Sequence, residues 1–297
     1  MKTLDLFFRV VRQDWFLIGC GAFIFVVVLL AAVGIHFTGY TYDQITDASL
    51  LPPSRVHWFG TDVNGHDLLT RTLYGARISL FVAATGTIVS LTVGVTYGMI
   101  SGYAGGRVDN LMMRVVEIIY SLPTLVLVIV LVTSLDGPVA SVLKGAGLTQ
   151  FPPRLVLIVI FLGLTEWLTM ARIVRGQVLV LKEQPFVQAS LALGQSHGQI
   201  LWRHLFPNLS GIIIVYLTLT IPAIMLDESF MSFLGVGVPA PLASWGTLVA
   251  DAASLINPIR LYWWMLLFPG GLMTLTLLAL NFLGDGLRDA LDPRVRK

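Results

Sequence analysis

"LFVAATGTIVSLTVGVTYGMIS", Leu80 to Ser101, contains no charged side chain. At about 1.5 Å of rise per residue, a helix of this length covers the roughly 30 Å hydrocarbon layer of a bilayer. Five further runs, near 16–34, 115–134, 155–171, 211–226 and 262–283, are almost as free of charge. The chain has 297 residues, of which 56% are hydrophobic and 12% charged, and its mean hydropathy is +0.81. A soluble domain carries about 25% charged residues. The sequence therefore predicts an all-α, polytopic membrane protein with six transmembrane helices.

Six spans leave outer loops near 35–79, 135–154 and 227–261, and inner loops near 102–114 and 172–210. With both ends of the chain inside, 13 of the 19 Lys and Arg residues fall on the inner side, which is the arrangement the positive-inside rule favours. The first run follows Lys2, Arg9 and Arg12 as a signal peptide would. Its apolar core exceeds the usual 7–15 residues of such a signal, and "AAVGIHF" is a poor cleavage site, so it is expected to stay as a helix. Cys20, the one cysteine, excludes an intrachain disulfide. A net charge of +2 gives no reason to expect nucleic acid as a partner.

Several chemistries are missing. No G-x-x-x-x-G-K-[ST] loop exists to cradle nucleotide phosphates. His36, His57, His66, His197 and His204 show no metal-ligand spacing, and no G-x-S-x-G elbow occurs. No catalytic residue, metal site or cofactor of its own is expected in this chain. An intramembrane hydrolase lacks the converging nucleophile and base it would need.

Within the spans, Gly86, Ser90, Gly94, Gly98 and Gly102 recur every four residues, placing all five on one helix face where another backbone can approach closely. That face fits either the chain's own bundle or a seam with a second membrane subunit. Pro123, Pro222 and Pro269 are expected to interrupt the third, fifth and sixth spans. Glu166 lies inside the fourth span, where charge is expensive and should face protein or water. It reads as a hydrogen-bonded packing residue or as part of a solute path. Asp227 and Glu228, at the outer end of the fifth span, read as solvated caps or as the lining of an outer vestibule.

The longest polar interruption is "FVQASLALGQSHGQILWRHLFPN", Phe186 to Asn208. Pro185 can open a helix, where its missing N–H costs nothing. Phe186, Val187, Ala189, Leu191 and Leu193 give a short helix that Gly194 ends. "QSHGQILWRHLF" makes a second short helix, and Pro207 precedes the next span. Such an element can rest on lipid headgroups or dock in a partner's groove.

The segment resembles the "EAA" coupling loop of bacterial ABC importer permeases at Gln188-Ala189-Ser190, Gly194, Ile200 and Pro207. The surrounding "WLTMARIVRGQVLVLKEQPFVQASLALGQS" is similar to the dipeptide/oligopeptide/nickel branch of that family. So are "FGTDVNGHDLLTRTLYGARISL" from Phe59, "SFLGVGVPAPLASWGTLVADA" from Ser232 and "NFLGDGLRDALDPRVRK" at the C-terminus. The resemblance covers most of the chain and points to the C-type permease subunit. Two positions depart from the pattern: Gln188 stands where the usual coupling helix has Glu, and His66 where "GRD" has Arg.

The resemblance implies a type I ABC importer permease fold in a bacterial inner membrane. An N-terminal segment with the first helix and outer loop would occupy 1–79, a five-helix core 80–290 with its coupling loop at 172–210, and a tail 291–297. The implied partners are a homologous B-type permease, two ATPase subunits that bind ATP and Mg, an extracytoplasmic solute-binding protein, and membrane lipid. Phe186, Gln188, Ala189, Ser190, Leu193, Gly194, Ile200 and Pro207 would couple to the ATPases, and Glu166, Asp227 and Glu228 would line the path or gate. Peptides are the implied solute; nickel, glutathione or another small solute is the alternative. A stand-alone carrier or channel would work without an ATPase.

Overall fold

Apolar runs in this chain become helices because a backbone surrounded by lipid must bond its own N–H and C=O groups. The computed structural model describes residues 15–256 and 260–291. Nine helices carry the description: α1 Trp15–Val33, α2 Leu68–Ala104, α3 Gly106–Tyr120, α4 Thr124–Gly145, α5 Pro153–Leu181, α6 Pro185–Ala192, α7 His197–Phe233, α8 Trp245–Ser254 and α9 Trp263–Leu291. Six of them, α1, α2, α4, α5, α7 and α9, are long and apolar enough to cross a membrane. The protein is a multi-pass helical membrane protein.

Helices α2 and α5 form the centre. Gly86, Gly94, Gly98 and Gly102 all face neighbouring backbone or Cβ atoms of this same chain. A Cβ on Gly94 would lie 2.7 Å from Met170 Cβ and 2.8 Å from Trp167 O, and one on Gly102 would lie 2.9 Å from Arg175 O. Ser90 is wholly buried in the same row. Gly163 of α5 answers from the other side, packed against Gly86 O and Val89. The ladder is thus filled by α5.

Several expected boundaries move. The third run, 115–134, is broken at Ser121–Pro123: Tyr120 ends α3, and Pro123 is the N-cap of α4 rather than a kink inside a span. Pro138 is the proline inside α4. The reason is amphipathicity: α3 exposes Arg107, Arg114 and Glu117 on one side and cannot sit in lipid all round. The second span starts at Leu68, so the boundary drawn at 79/80 falls inside α2. The inner loop 172–210 shrinks, because α5 runs to Leu181 and α7 begins at His197. "QSHGQILWRHLF" is not a separate helix. It continues into the span through a π turn at Ile200–Leu205, just before Pro207. Proline lacks the N–H for the carbonyl four residues back and crowds it, and a widened turn relieves both problems. The Asn208 side chain donates to His204 O at 2.6 Å. The tail beyond Leu291 lies outside the described residues.

At the end of the molecule opposite α6, residues 37–67 fold over the helices as a hydrogen-bonded cap. Asp62 accepts from Asn64 N, His66 N and Arg71 Nη1 at 2.9, 2.8 and 2.7 Å. Asp67 caps α2 by accepting from Thr70 N at 2.9 Å and sits 2.9 Å from His57 Nδ1. Gly65, with φ +83°, packs on the Thr46 carbonyl, where no Cβ fits.

Candidate functional site

The loop between α5 and α7 is short and firmly seated. Pro185 opens α6 after an extended Gln184. Gly194 takes φ +76°, a left-handed conformation that glycine adopts without steric cost, and so turns the chain out of α6. Ser196 then caps α7 in a capping box with Gln199. Val187, Ile200, Leu205 and Leu209 are buried together with Val95, Met99, Met170, Val174 and Val178 of α2 and α5. The loop therefore rests on the glycine-packed pair.

The expected coupling residues divide by direction. Ser190 and Ile200 face inward, with Ser190 Oγ donating to Phe186 O at 2.8 Å. Phe186, Gln188, Ala189, Leu193, Gly194 and Pro207 face outward; Leu193 is 81% exposed and Phe186 40%. Trp202, 56% exposed, joins that outward apolar group. Its place three residues before a buried leucine hides it from a reading by motif. His204 Nε2 lies 2.8 Å from Gln195 Oε1 and 3.3 Å from Ser190 Oγ, bridging the two limbs of the loop. His197 Nδ1 lies 2.8 Å from Tyr103 Oη of α2. The Gln188 side-chain amide donates to Lys182 O at 2.9 Å, and Lys182 Nζ donates to Gly102 O at 2.9 Å. The loop is thereby bonded to the end of α2.

The chain matches the family described as "Binding-protein-dependent transport system inner membrane component" over residues 94–297. It belongs to that family. The permease is 43% identical over 276 residues to the oligopeptide transport system permease protein OppC of Bacillus subtilis (strain 168), covering 92% of this chain and 84% of that protein. It is 43% identical over 297 residues to the dipeptide transport system permease protein DppC of the same organism, covering 99% and 87%. With OppC of Escherichia coli (strain K12) it shares 43% identity over 240 residues, covering 81% and 73%.

Two stretches that resemble family motifs do packing work in this permease. His66 lies 2.9 Å from Asp62 inside the cap. In "SFLGVGVPAPLASWG", Ser232 and Ser244 each donate to Glu228 Oε1 at 2.7 Å, and Ser79 of α2 donates to Oε2 at 3.3 Å. Trp245 is fully buried, donating through Nε1 to Thr72 O at 3.0 Å. Glu228 is 0% exposed. It is neither a solvated cap nor a lining residue, because hydroxyls from α2, α7 and the N-cap of α8 close around it.

Glu166 and Asp227 are placed differently. They share an open cavity of about 450 Å³ with Tyr120, Pro123, Thr124 and Thr165, between α3, α4, α5 and α7. Near it, Arg172 of α5 stacks over the Tyr120 ring at 4.2 Å from the centroid. At the opposite end of α3, Asp109 accepts from Arg175 Nε and Nη2, both at 2.6 Å, and from Ser101 Oγ at 2.5 Å. The Arg175 guanidinium holds the Asp109 carboxyl below the usual aspartate range, against the opposing effect of burial and with help from Ser101.

Proposed function

We propose that this permease forms half of the translocation pathway of an ATP-driven importer for peptides, with a homologous B-type permease as the other half. Two ATPase subunits bind ATP and Mg and grip one loop from each permease, while an extracytoplasmic solute-binding protein delivers the solute at the cap. The observation that carries this reading is the α6–Gly194–α7 loop. It presents Phe186, Leu193 and Trp202 outward from a wholly buried seat, as a surface built to fill a partner's groove does. Within an ATP-driven importer, a chain without a phosphate-binding loop receives its energy through such a contact. The excess of basic residues on that side supports a cytoplasmic loop and cytoplasmic termini.

The names of the relatives support peptides as the solute. The open cavity of Glu166 and Asp227 is the stretch of this chain assigned to solute passage, because it puts polar groups of two spans against an unfilled space. In division terms, residues 1–79 supply α1, the cap and the start of α2, and 80–290 the working core.

The test is co-expression with candidate ATPase and permease partners, followed by purification through a tag on this chain and reconstitution with the solute-binding protein. Capture of an ATPase and peptide-stimulated uptake are expected. A solubilised chain that never retains an ATPase sinks the reading.

A further inference from the structure

Helix α3 meets the rest of the protein along one side. Of its side chains only Asp109, Met113 and Val116 are buried, one narrow stripe at helical spacing. Val108, Leu111, Val115 and Ile118 are exposed. Short turns bound it at both ends. Gly105 and Gly106, with φ of +65° and +55°, join it to α2, and Ser121–Pro123 separate it from α4. Met113 and Val116 pack with Trp167, Leu168 and Ala171 of α5, and Tyr97 Oη of α2 donates to Met112 O at 2.9 Å.

Two arginines of α5 fix its ends. Arg175 meets Asp109 through two parallel N–H···O bonds at one end, the paired geometry that fixes orientation as well as distance. Arg172 covers the Tyr120 ring at the other, within the reach of a cation–π contact. Between them on α5, Val174 packs with Val187 and Ile200 of the loop. The same turns of α5 thus carry the seat of the loop and the grip on α3. Tyr120 and Pro123 in turn form one wall of the cavity.

We infer that Arg175 and Arg172 form a two-point clamp by which α3, and with it the Tyr120 wall of the cavity, follows any movement of α5 and the loop. Asp109 and Tyr120 are positioning residues: they transmit the place of α5 and touch no solute in this scheme. The transport consequence rests on the function proposed above, whereas the grip itself does not.

The experiment uses the full chain in a Cys20→Ser background, with spin labels on Leu111 of α3 and Val180 of α5, both exposed. The parent should give one narrow distance distribution, and Asp109→Asn and Arg175→Gln should broaden it. Arg172→Gln removes an exposed group and tests the second point without unbalancing a buried charge. In the assembled importer, Asp109→Asn should lower the solute transported per ATP hydrolysed about ten-fold, the size of change a coupling network carries, and Arg175→Lys should recover part of it. A role in stability alone lowers the thermal midpoint and leaves that ratio untouched. Narrow distributions in all three variants overturn the clamp. A broad distribution with an unchanged ratio overturns its part in transmission. A parent importer without ATP-driven uptake removes the proposed function, and the distance measurement still decides the clamp.

Discussion

At the residue scale, Gln188 has a role that its usual counterpart cannot fill. Its amide donates to the Lys182 carbonyl, and an ionised carboxylate has no proton to donate. Gln188→Glu should break this bond and free the side chain for an ion pair with a basic partner. ATPase capture should then become more salt-sensitive, measured by co-purification across ionic strengths, whereas in the parent it should change little. Gly194 bears on the same contact. Gly194→Trp places a side chain on a left-handed turn, at about 1–2 kcal/mol of backbone strain, and in the path of the docking surface. Membrane insertion should persist and uptake should be uncoupled from ATP hydrolysis; undiminished uptake counts against the loop's assignment. Asp109 supplies a pH prediction. Its folded value is depressed, so its contribution is complete above the unfolded aspartate value of about 3.9 and fades as pH falls through the lower folded value. Thermal midpoints of the parent should drop more steeply than those of Asp109→Asn as the medium passes from neutral to strongly acid.

At the element scale, the pairing of α2 with α5 depends on the absence of side chains. Gly94→Val sets new atoms against Met170 and the Trp167 carbonyl, and overpacking of this kind costs about 1–3 kcal/mol or more. Gly211→Ala, where nothing lies within 4 Å, should be close to neutral; thermal unfolding in detergent compares the two. The four-residue spacing of the ladder was plain in the sequence, but its partner was not, since Gly163 belongs to no repeating pattern of its own. Glu228 shows the same limit. Its acid character was visible, but the hydroxyls that bury it come from Ser79 on α2, Ser232 on α7 and Ser244, the N-cap of α8. Glu228→Leu leaves those donors without an acceptor, at about 1–3 kcal/mol for each one that finds no new partner. Loss of hydrogen-exchange protection in α8 should report the damage.

At the scale of the whole molecule, the six crossings and their order could be read from apolar length alone, because lipid admits few alternatives. The ends of the helices could not. Charge on α2 at Arg71 and Arg77 looked like loop, yet Arg71 is buried and donates through Nη1 to Asp62 inside the cap. The end of α3 was absorbed into a span because the exposed Val115, Ile118 and Tyr120 lengthen the run. The cavity was legible only in part: Glu166 stood out as a charge in a span, and its proximity to Asp227 needed the packing of α5 on α7. Replacing both by Gln and Asn should lower uptake while ATPase capture persists, which separates passage from assembly. The π turn before Pro207 has one more consequence. The buried positions Ile200, Leu205 and Leu209 step by five and then by four, so this turn holds one residue more than an ordinary helix would. That surplus sets the angular phase between loop and membrane span. The widened turn absorbs the surplus; the same residues wound as a regular α-helix would rotate one against the other by about 100°. The loop could keep its seat on α5 or the span could keep its buried ridge, but a single chain could not keep both.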